Sequence, residues 1–193
     1  MPPFLPSWPT VLVLASGKGE RFLASGGQVH KLQADLCGRS VLDRTLDAVR
    51  ASGLPWHVED AGHPGMGDSV ATAVRATPGA PGWLVLPADL PLIAPATLIA
   101  VAGALAAGTA SAVLPWVAGQ RAHPVGFAGS LGPELSNLAG KEGARHILSR
   151  LDAMKRVANI LLDDVGAITD IDTVDDLRRA AVSLHRQGYG PAL

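Results

Sequence analysis

Apolar positions along the chain fall into short unbroken runs separated by longer stretches with helical spacing. Thr10–Leu14 is a continuous β-branched and leucine run, the pattern of a strand buried on both faces of a parallel sheet. A glycine-rich loop follows it. Residues 39–51 place Val41, Leu42, Leu46 and Val49 on one helical face, and Gly53-Leu54-Pro55 closes that helix. Trp56–Glu59 reads as a short strand, and residues 65–76 as a helix opened by glycines. Residues 83–87 form a second buried strand, which runs into Ala88-Asp89-Leu90-Pro91. The pattern then predicts a helix over 94–107, with Pro95 in its first turn, where a missing N–H costs little. Strands over 110–114 and 122–127, helices over 131–138 and 143–151, a strand over 157–162 and an amphipathic helix over Val174–Arg186 complete the series. Residues 23–30 and 77–82, rich in Gly or Pro, read as loops.

Strands that alternate with helices predict an α/β fold. The expectation is a single Rossmann-like, doubly wound domain spanning 1–193, with a mainly parallel sheet and helices on both faces. A chain of 193 residues with 48% hydrophobic content is long enough for one substantial core. Sixteen basic and 17 acidic residues leave a net charge of −1, with no footprint for nucleic acid or an anionic membrane. An anionic ligand must therefore be met by a few placed side chains and backbone amides. The longest apolar stretch near a helix, residues 92–105, falls short of the roughly 20 residues of a membrane span. One cysteine, Cys37, excludes a disulfide framework within the chain and suits a reducing cytoplasm. The opening residues, with Pro2, Pro3 and Pro6 and no basic segment, do not read as a signal peptide.

In an open α/β sheet, ligands bind at the carboxyl ends of the strands. After the first strand come Ser16-Gly17-Lys18-Gly19-Glu20-Arg21. This is not a Walker loop: Leu12 stands where its first Gly belongs, and Gly19 follows the Lys where a hydroxyl should be. Nor is it a dinucleotide fingerprint, since Phe22 replaces the third Gly. The glycines still let a phosphate approach the backbone, and Lys18 and Arg21 can offset its charge. Asp89, between two prolines at a strand end, suits a Mg²⁺ ligand or, equally, a turn. Before the last helix stands Thr169-Asp170-Ile171-Asp172-Thr173. Asp172 or Thr173 is placed to cap that helix, whereas in an extended segment Asp170 and Asp172 share one face. The six histidines form no zinc motif, no GxSxG elbow is present, and Cys37 reads as apolar filler.

Taken in order, LASGKGERF, Lys31-Leu32, CGRSVLDRTLDAV, GMGDSV, PADLPLI, HPVGF, GKEGAR and DIDTVDDL resemble the MobA-like nucleotidyltransferases, closest to the molybdenum cofactor cytidylyltransferases. The resemblance runs from about Val11 to Leu177. It implies that the loop Leu14, Ala15, Ser16, Gly17, Lys18, Gly19 wraps the triphosphate of an NTP, with Arg21 and Lys31 on its phosphates. It further implies that Asp89 holds Mg²⁺ with Asp172, or alternatively Asp170, as the second carboxylate. Gly67 and Ser69 would lie near the base, and His123 and Pro124 near the acceptor. The reaction implied is Mg²⁺-dependent transfer of a nucleotide, CMP from CTP above others, to a molybdopterin-type cofactor destined for a molybdoenzyme, with loss of pyrophosphate. Two alternatives stand beside it: a guanylyltransferase or another NTP transferase with a different phosphorylated acceptor, and a nucleotide-binding accessory protein without fast catalysis. Ser16 replaces the family's Ala or Gly, the Gly after the Arg-x pair is missing, Lys141 stands where relatives often have Asp, and the stretch between Gly53 and Gly65 is short.

Overall fold

The computed structural model describes residues 8–186. Its seven strands are β1 (Thr10–Leu14), β2 (Trp56–Glu59), β3 (Gly82–Pro87), β4 (Ala112–Val117), β5 (Gln120–Arg121), β6 (Val125–Ala128) and β7 (Val157–Leu161). They form one sheet in the order β2-β1-β3-β6-β4-β5, with β7 also paired to β4. β1 is parallel to β2 and β3, and β7 to β4. β6 runs antiparallel to both β3 and β4, so the sheet is mixed but mostly parallel.

Seven α-helices cover the sheet: α1 (Glu20–Ala24), α2 (Val41–Ser52), α3 (Met66–Ala76), α4 (Pro95–Ala106), α5 (Gly132–Leu135), α6 (Arg145–Ala153) and α7 (Val174–Arg186). Side chains alternate across a strand, and the two faces feed two separate cores. Val11, Val13, Leu84, Leu86 and Val113 point to the core under α2, α4 and α7, which includes Leu46, Val49, Leu98, Val101 and Ala180. Leu12, Trp83, Val85, Ala112 and Leu114 point the other way, onto Val70, Val74, Leu135, Ile147 and Leu151 of α3, α5 and α6. Val11, Leu12 and Val13 have no exposed surface, as a doubly covered strand requires.

Several predicted boundaries move, each for a local reason. α2 starts at Val41, two residues later than the pattern suggests, because Ser40 caps it: the Asp43 N–H donates to Ser40 Oγ at 3.0 Å. It ends where expected, on Gly53 with φ +69°. The helix expected over 131–138 shrinks to α5, because Ser136 Oγ and Asn137 Nδ2 bond back to the Pro133 carbonyl and draw the chain out of helix. The strand expected over 122–127 is β6 from Val125. The residues before it fold back on β4 as β5, through a tight turn at Ala118 and Gly119 with φ +49° and +77°. The loop expected over 23–30 begins later, since Leu23 and Ala24 belong to α1, and Gly82 belongs to β3. The prolines Pro2, Pro3 and Pro6 lie outside the described residues.

Replacing the α2 cap, Ser40→Ala, is expected to cost about 1 kcal/mol. A fall of that size in the free energy of urea unfolding, with an unchanged denaturant slope, checks it.

Candidate functional site

The sheet topology brings its chemistry to one edge. β1, β2, β3, β4 and β7 all end there, and β6, being antiparallel, begins there. A cavity of about 700 Å³ opens along this edge. Leu14, Ser16, Gly17, Lys18, Gly19, Arg21, Lys31, Ser69, Asp89, His123, Asp170 and Asp172 all line it. Ala15, Gly67 and Pro124 are not on its wall. Gly67 instead packs against the 139–140 backbone: its N–H donates to the Gly140 carbonyl at 2.8 Å, and a Cβ there would lie 2.7 Å from Ala139. Its neighbour Gly65 is as crowded, with Gly140 O 2.3 Å from where a Cβ would stand.

The glycine loop is held from both sides. The Ala15 N–H and the Ser16 hydroxyl donate to the Glu59 carbonyl at 2.8 and 3.2 Å, tying the loop to the end of β2. From the other side His30 Nε2 donates to the Gly17 carbonyl at 2.7 Å, while Nδ1 accepts from the Leu32 N–H at 3.3 Å. Those two bonds fix the neutral tautomer with its proton on Nε2. Gly19 adopts φ +65°, and a Cβ there would crowd the His30 ring at 3.3 Å.

Beyond the loop lies a group of charges. Lys31 Nζ donates to Asp89 Oδ2 at 2.5 Å and to Asp172 Oδ1 at 2.9 Å, and Arg21 reaches Asp172 Oδ2 at 2.6 Å. Asp89 and Ile171 are joined through the backbone, which sets the C-terminal turn beside the end of β3. Carboxylate oxygens of Asp89, Asp170 and Asp172 lie within 4.8 Å of one another. Burial would lower the Lys31 pKa, but the Asp89 charge and hydrogen bond, and then Asp172, outweigh it and hold the ammonium above its ordinary 10.5. Asp170 is pushed above 3.8 by burial and by the Asp172 and Asp89 charges, against a bond from its own backbone. Asp89 Oδ1 is buried without a hydrogen-bond partner. An all-carboxylate oxygen set with one oxygen left over fits a hard divalent cation.

The choice left open between Asp172 and Thr173 is settled by a capping box. Thr173 caps α7: Asp176 N–H donates to Thr173 Oγ1, and Asp176 Oδ2 takes both the hydroxyl and the N–H of Thr173. Asp172 gives only its backbone N–H to this cap, so its carboxylate is left for the site, with Ile171 turned into the core between it and Asp170.

Further along the edge, His123 sits near Asp89 with Nδ1 buried and unpartnered. Burial lowers its pKa below 6.5, against the Asp89 charge and the Val85 backbone, so the ring is neutral at pH 7. The β5 turn places Arg121 at the mouth, its guanidinium 5.9 Å from the Trp116 ring centre. At the opposite end, His63 lines the cavity and donates from Nε2 to the buried Glu59 carboxylate at 2.9 Å. His30, Glu59, His63 and Arg121 were not anticipated from the sequence. The turn-forming Ala118-Gly119 before Gln120-Arg121 was the one local signal for any of them.

The family model of the MobA-like NTP transferase domain matches residues 47–156. The chain belongs to that family. As a MobA-like protein it is a nucleotidyltransferase by class. Its fold recurs in Rv0371c from Mycobacterium tuberculosis H37Rv, 23% identical, with 91% of this chain and 98% of that one covered and a TM-score of 0.72. Mth528, described as a nucleotidyl transferase from Methanothermobacter, is 18% identical, with 93% and 99% covered and a TM-score of 0.75. Molybdopterin-guanine dinucleotide biosynthesis protein A from Archaeoglobus fulgidus is 18% identical, with 92% and 99% covered and a TM-score of 0.61. A manganese complex of Rv0371C is among the similar structures, at 22% identity and a TM-score of 0.68. At these identities the likeness is one of fold. No curated protein matches the chain significantly. No helix among the described residues is long and apolar enough to cross a membrane.

Asp176, which closes the α7 cap, makes the stability depend on pH. Burial would raise its pKa, but bonds from Thr173 and Asp172 and the Arg179 charge hold it below 3.8. A depressed carboxyl stabilises the fold above its unfolded pKa, and that contribution is lost as pH falls through the folded value. Asp176→Ala should therefore cost about 1 kcal/mol at pH 7, and the gap to the parent should close below pH 3.8. Urea melts at both pH values measure it.

Proposed function

We propose that residues 1–193 act as one cytoplasmic nucleotidyltransferase domain that moves CMP from CTP to a phosphate oxygen of a molybdopterin-type cofactor and releases pyrophosphate. The observation that carries this reading is the order of groups along the sheet edge: loop cations, carboxylates, then His123 and Arg121. Phosphoryl chemistry asks little covalent work of a protein; it asks for positioning and charge. Lys18 and Arg21, exposed at the loop, take the pyrophosphate portion as it leaves, and Lys31 meets the phosphate nearest the carboxylates. Asp89 and Asp172, with Asp170 beside them, would hold a divalent ion, Mg²⁺ in this reading, which would supply neutralising charge at the reacting phosphorus.

The acceptor enters on the β6 and β4 side. Arg121 lines that side, and its seat on Trp116 holds it over the mouth. The neutral, buried His123 lines this side next to Asp89. The motif series and the fold shared with the Archaeoglobus protein support molybdopterin as the acceptor. A similar fold in 4-diphosphocytidyl-2C-methyl-D-erythritol synthase from Anaerococcus prevotii, 14% identical with a TM-score of 0.69, favours as second reading a small phosphorylated metabolite.

Pyrophosphate release with CTP, GTP, ATP or UTP, Mg²⁺ and molybdopterin tests the reading. Release with none of them overturns it, and nucleotide binding without turnover points to an accessory protein. Asp89→Asn should keep the fold and slow Mg²⁺-dependent release at least about a hundredfold, roughly 2.7 kcal/mol of barrier; an unchanged rate removes Asp89 from the metal site. Arg121→Ala should raise the acceptor KM about tenfold and leave the NTP KM unchanged, since the lost contact is a charge-assisted one to the acceptor alone. Steady-state titration of each substrate separates the two.

A further inference from the structure

Glu59 and His63 have no part in the transfer step, yet they form a directed pair at the cavity's far end, Glu59 buried and His63 half-buried. Glu59 is 5% exposed. Its Oε1 accepts from the Ala61 N–H at 3.1 Å and from His63 Nε2 at 2.9 Å, while its carbonyl holds the glycine loop. His57 Nε2 lies 3.7 Å from Oε2, too far for a hydrogen bond. A carboxylate only accepts, so the His63 proton on this side must sit on Nε2. In the neutral ring the other nitrogen, Nδ1, is then an acceptor. Nδ1 has no hydrogen-bond partner among the described residues and is not one of the buried unpartnered atoms, so it is not sealed from solvent, and His63 lines the cavity.

The position of that acceptor follows from the reaction proposed above, on which this inference rests. The reacting phosphorus at Asp89 carries three things that need three directions. Pyrophosphate leaves toward the loop cations, and the acceptor comes from the β6 and β4 side. The nucleoside is left with the β2 side, where Ser16, His63, Gly65 and Ser69 form the wall.

We propose that His63, with its tautomer set by Glu59, reads the nucleobase and selects one that presents an exocyclic amino group over its keto counterpart. Cytosine donates from N4 to such a nitrogen; uracil presents a carbonyl oxygen at the same place, and two acceptors face each other. Glu59 thus acts at one remove, as a positioning residue, and its carbonyl also ties the glycine loop to the end of β2, just before the segment that carries His63.

The test is equilibrium binding of CTP and UTP with Mg²⁺, and of pyrophosphate as a probe of the loop alone. The parent should favour CTP over UTP about tenfold, the worth of one hydrogen bond with its counterpart left unpaired. His63→Phe, which keeps a ring but no acceptor, should bring that ratio within about twofold while pyrophosphate binding stays unchanged. Glu59→Gln, which no longer obliges the proton to sit on Nε2, should also narrow it, and serves if the Phe variant folds poorly. His63→Gln, whose amide oxygen accepts, should restore part of the preference. A parent with equal affinity for CTP and UTP, or a His63→Phe variant with the parent's ratio, overturns the assignment and leaves the transferase reading standing. A folded parent that binds no nucleotide overturns both.

Discussion

One ammonium group holds the site together. Lys31 bonds Asp89 and Asp172, residues 58 and 141 positions away in the chain, and so joins the segment after the glycine loop, the end of β3 and the turn before α7. Three carboxylates this close repel one another, and burial together with the Asp172 and Asp89 charges raises the pKa of Asp170. Burial alone would lower the Lys31 pKa; Asp89 and Asp172 outweigh it and hold the ammonium above its ordinary value, and the ammonium sits between the two carboxylates in a partly buried place. A centre of this kind is built to accept further positive charge, because Asp89 Oδ1 still lacks a partner.

The rest of the edge depends on one topological feature. A purely parallel sheet would put the start of β6 at the far end, beneath the site. Because β6 runs antiparallel between β3 and β4, His123 arrives beside Asp89, and the β4–β5 turn delivers Arg121 to the same rim. The β2 side carries Glu59 and His63 on the opposite flank of the loop. The proposed reaction would thus draw its three directions from three stretches of a single sheet edge.

Much of this was legible in the sequence where the signal is local. β1 and β3 are apolar runs, and the burial of all but their last residues is what such runs mean. Asp89 could be placed at a strand end, and the 3.6-residue spacing found α2, α4 and α7 to within two residues. What was not legible is long-range. Lys31 says nothing alone; its meaning comes from two carboxylates that only folding brings to it. Asp172 and Thr173 were equal candidates for the cap until the return bonds from Asp176 chose Thr173. His30, Glu59 and His63 belong to no spacing rule, because each acts through a backbone carbonyl or a carboxylate set by the meeting of β1, β2 and the loop. The split of the 122–127 strand followed from a turn with two positive φ angles, one of them at an alanine that propensity would not assign there.

The distribution of exposure separates what must be fixed from what must move. The side chain of Lys31 is 12% exposed and those of Asp89 and Asp172 are 15% and 18%, whereas Arg21 is 77% exposed although it contacts the same Asp172. A buried ion pair with several partners is costly to break, and an exposed one contributes little to stability. In the proposed reaction Arg21 would therefore leave Asp172 for an arriving phosphate at small cost, while Lys31 keeps the carboxylates in register. The loop shows the same division. Its backbone is pinned by Glu59 and His30, and Lys18 is free at its tip. A rigid backbone with loosely held cations suits a site that must bind a highly charged triphosphate and then release two of its phosphates.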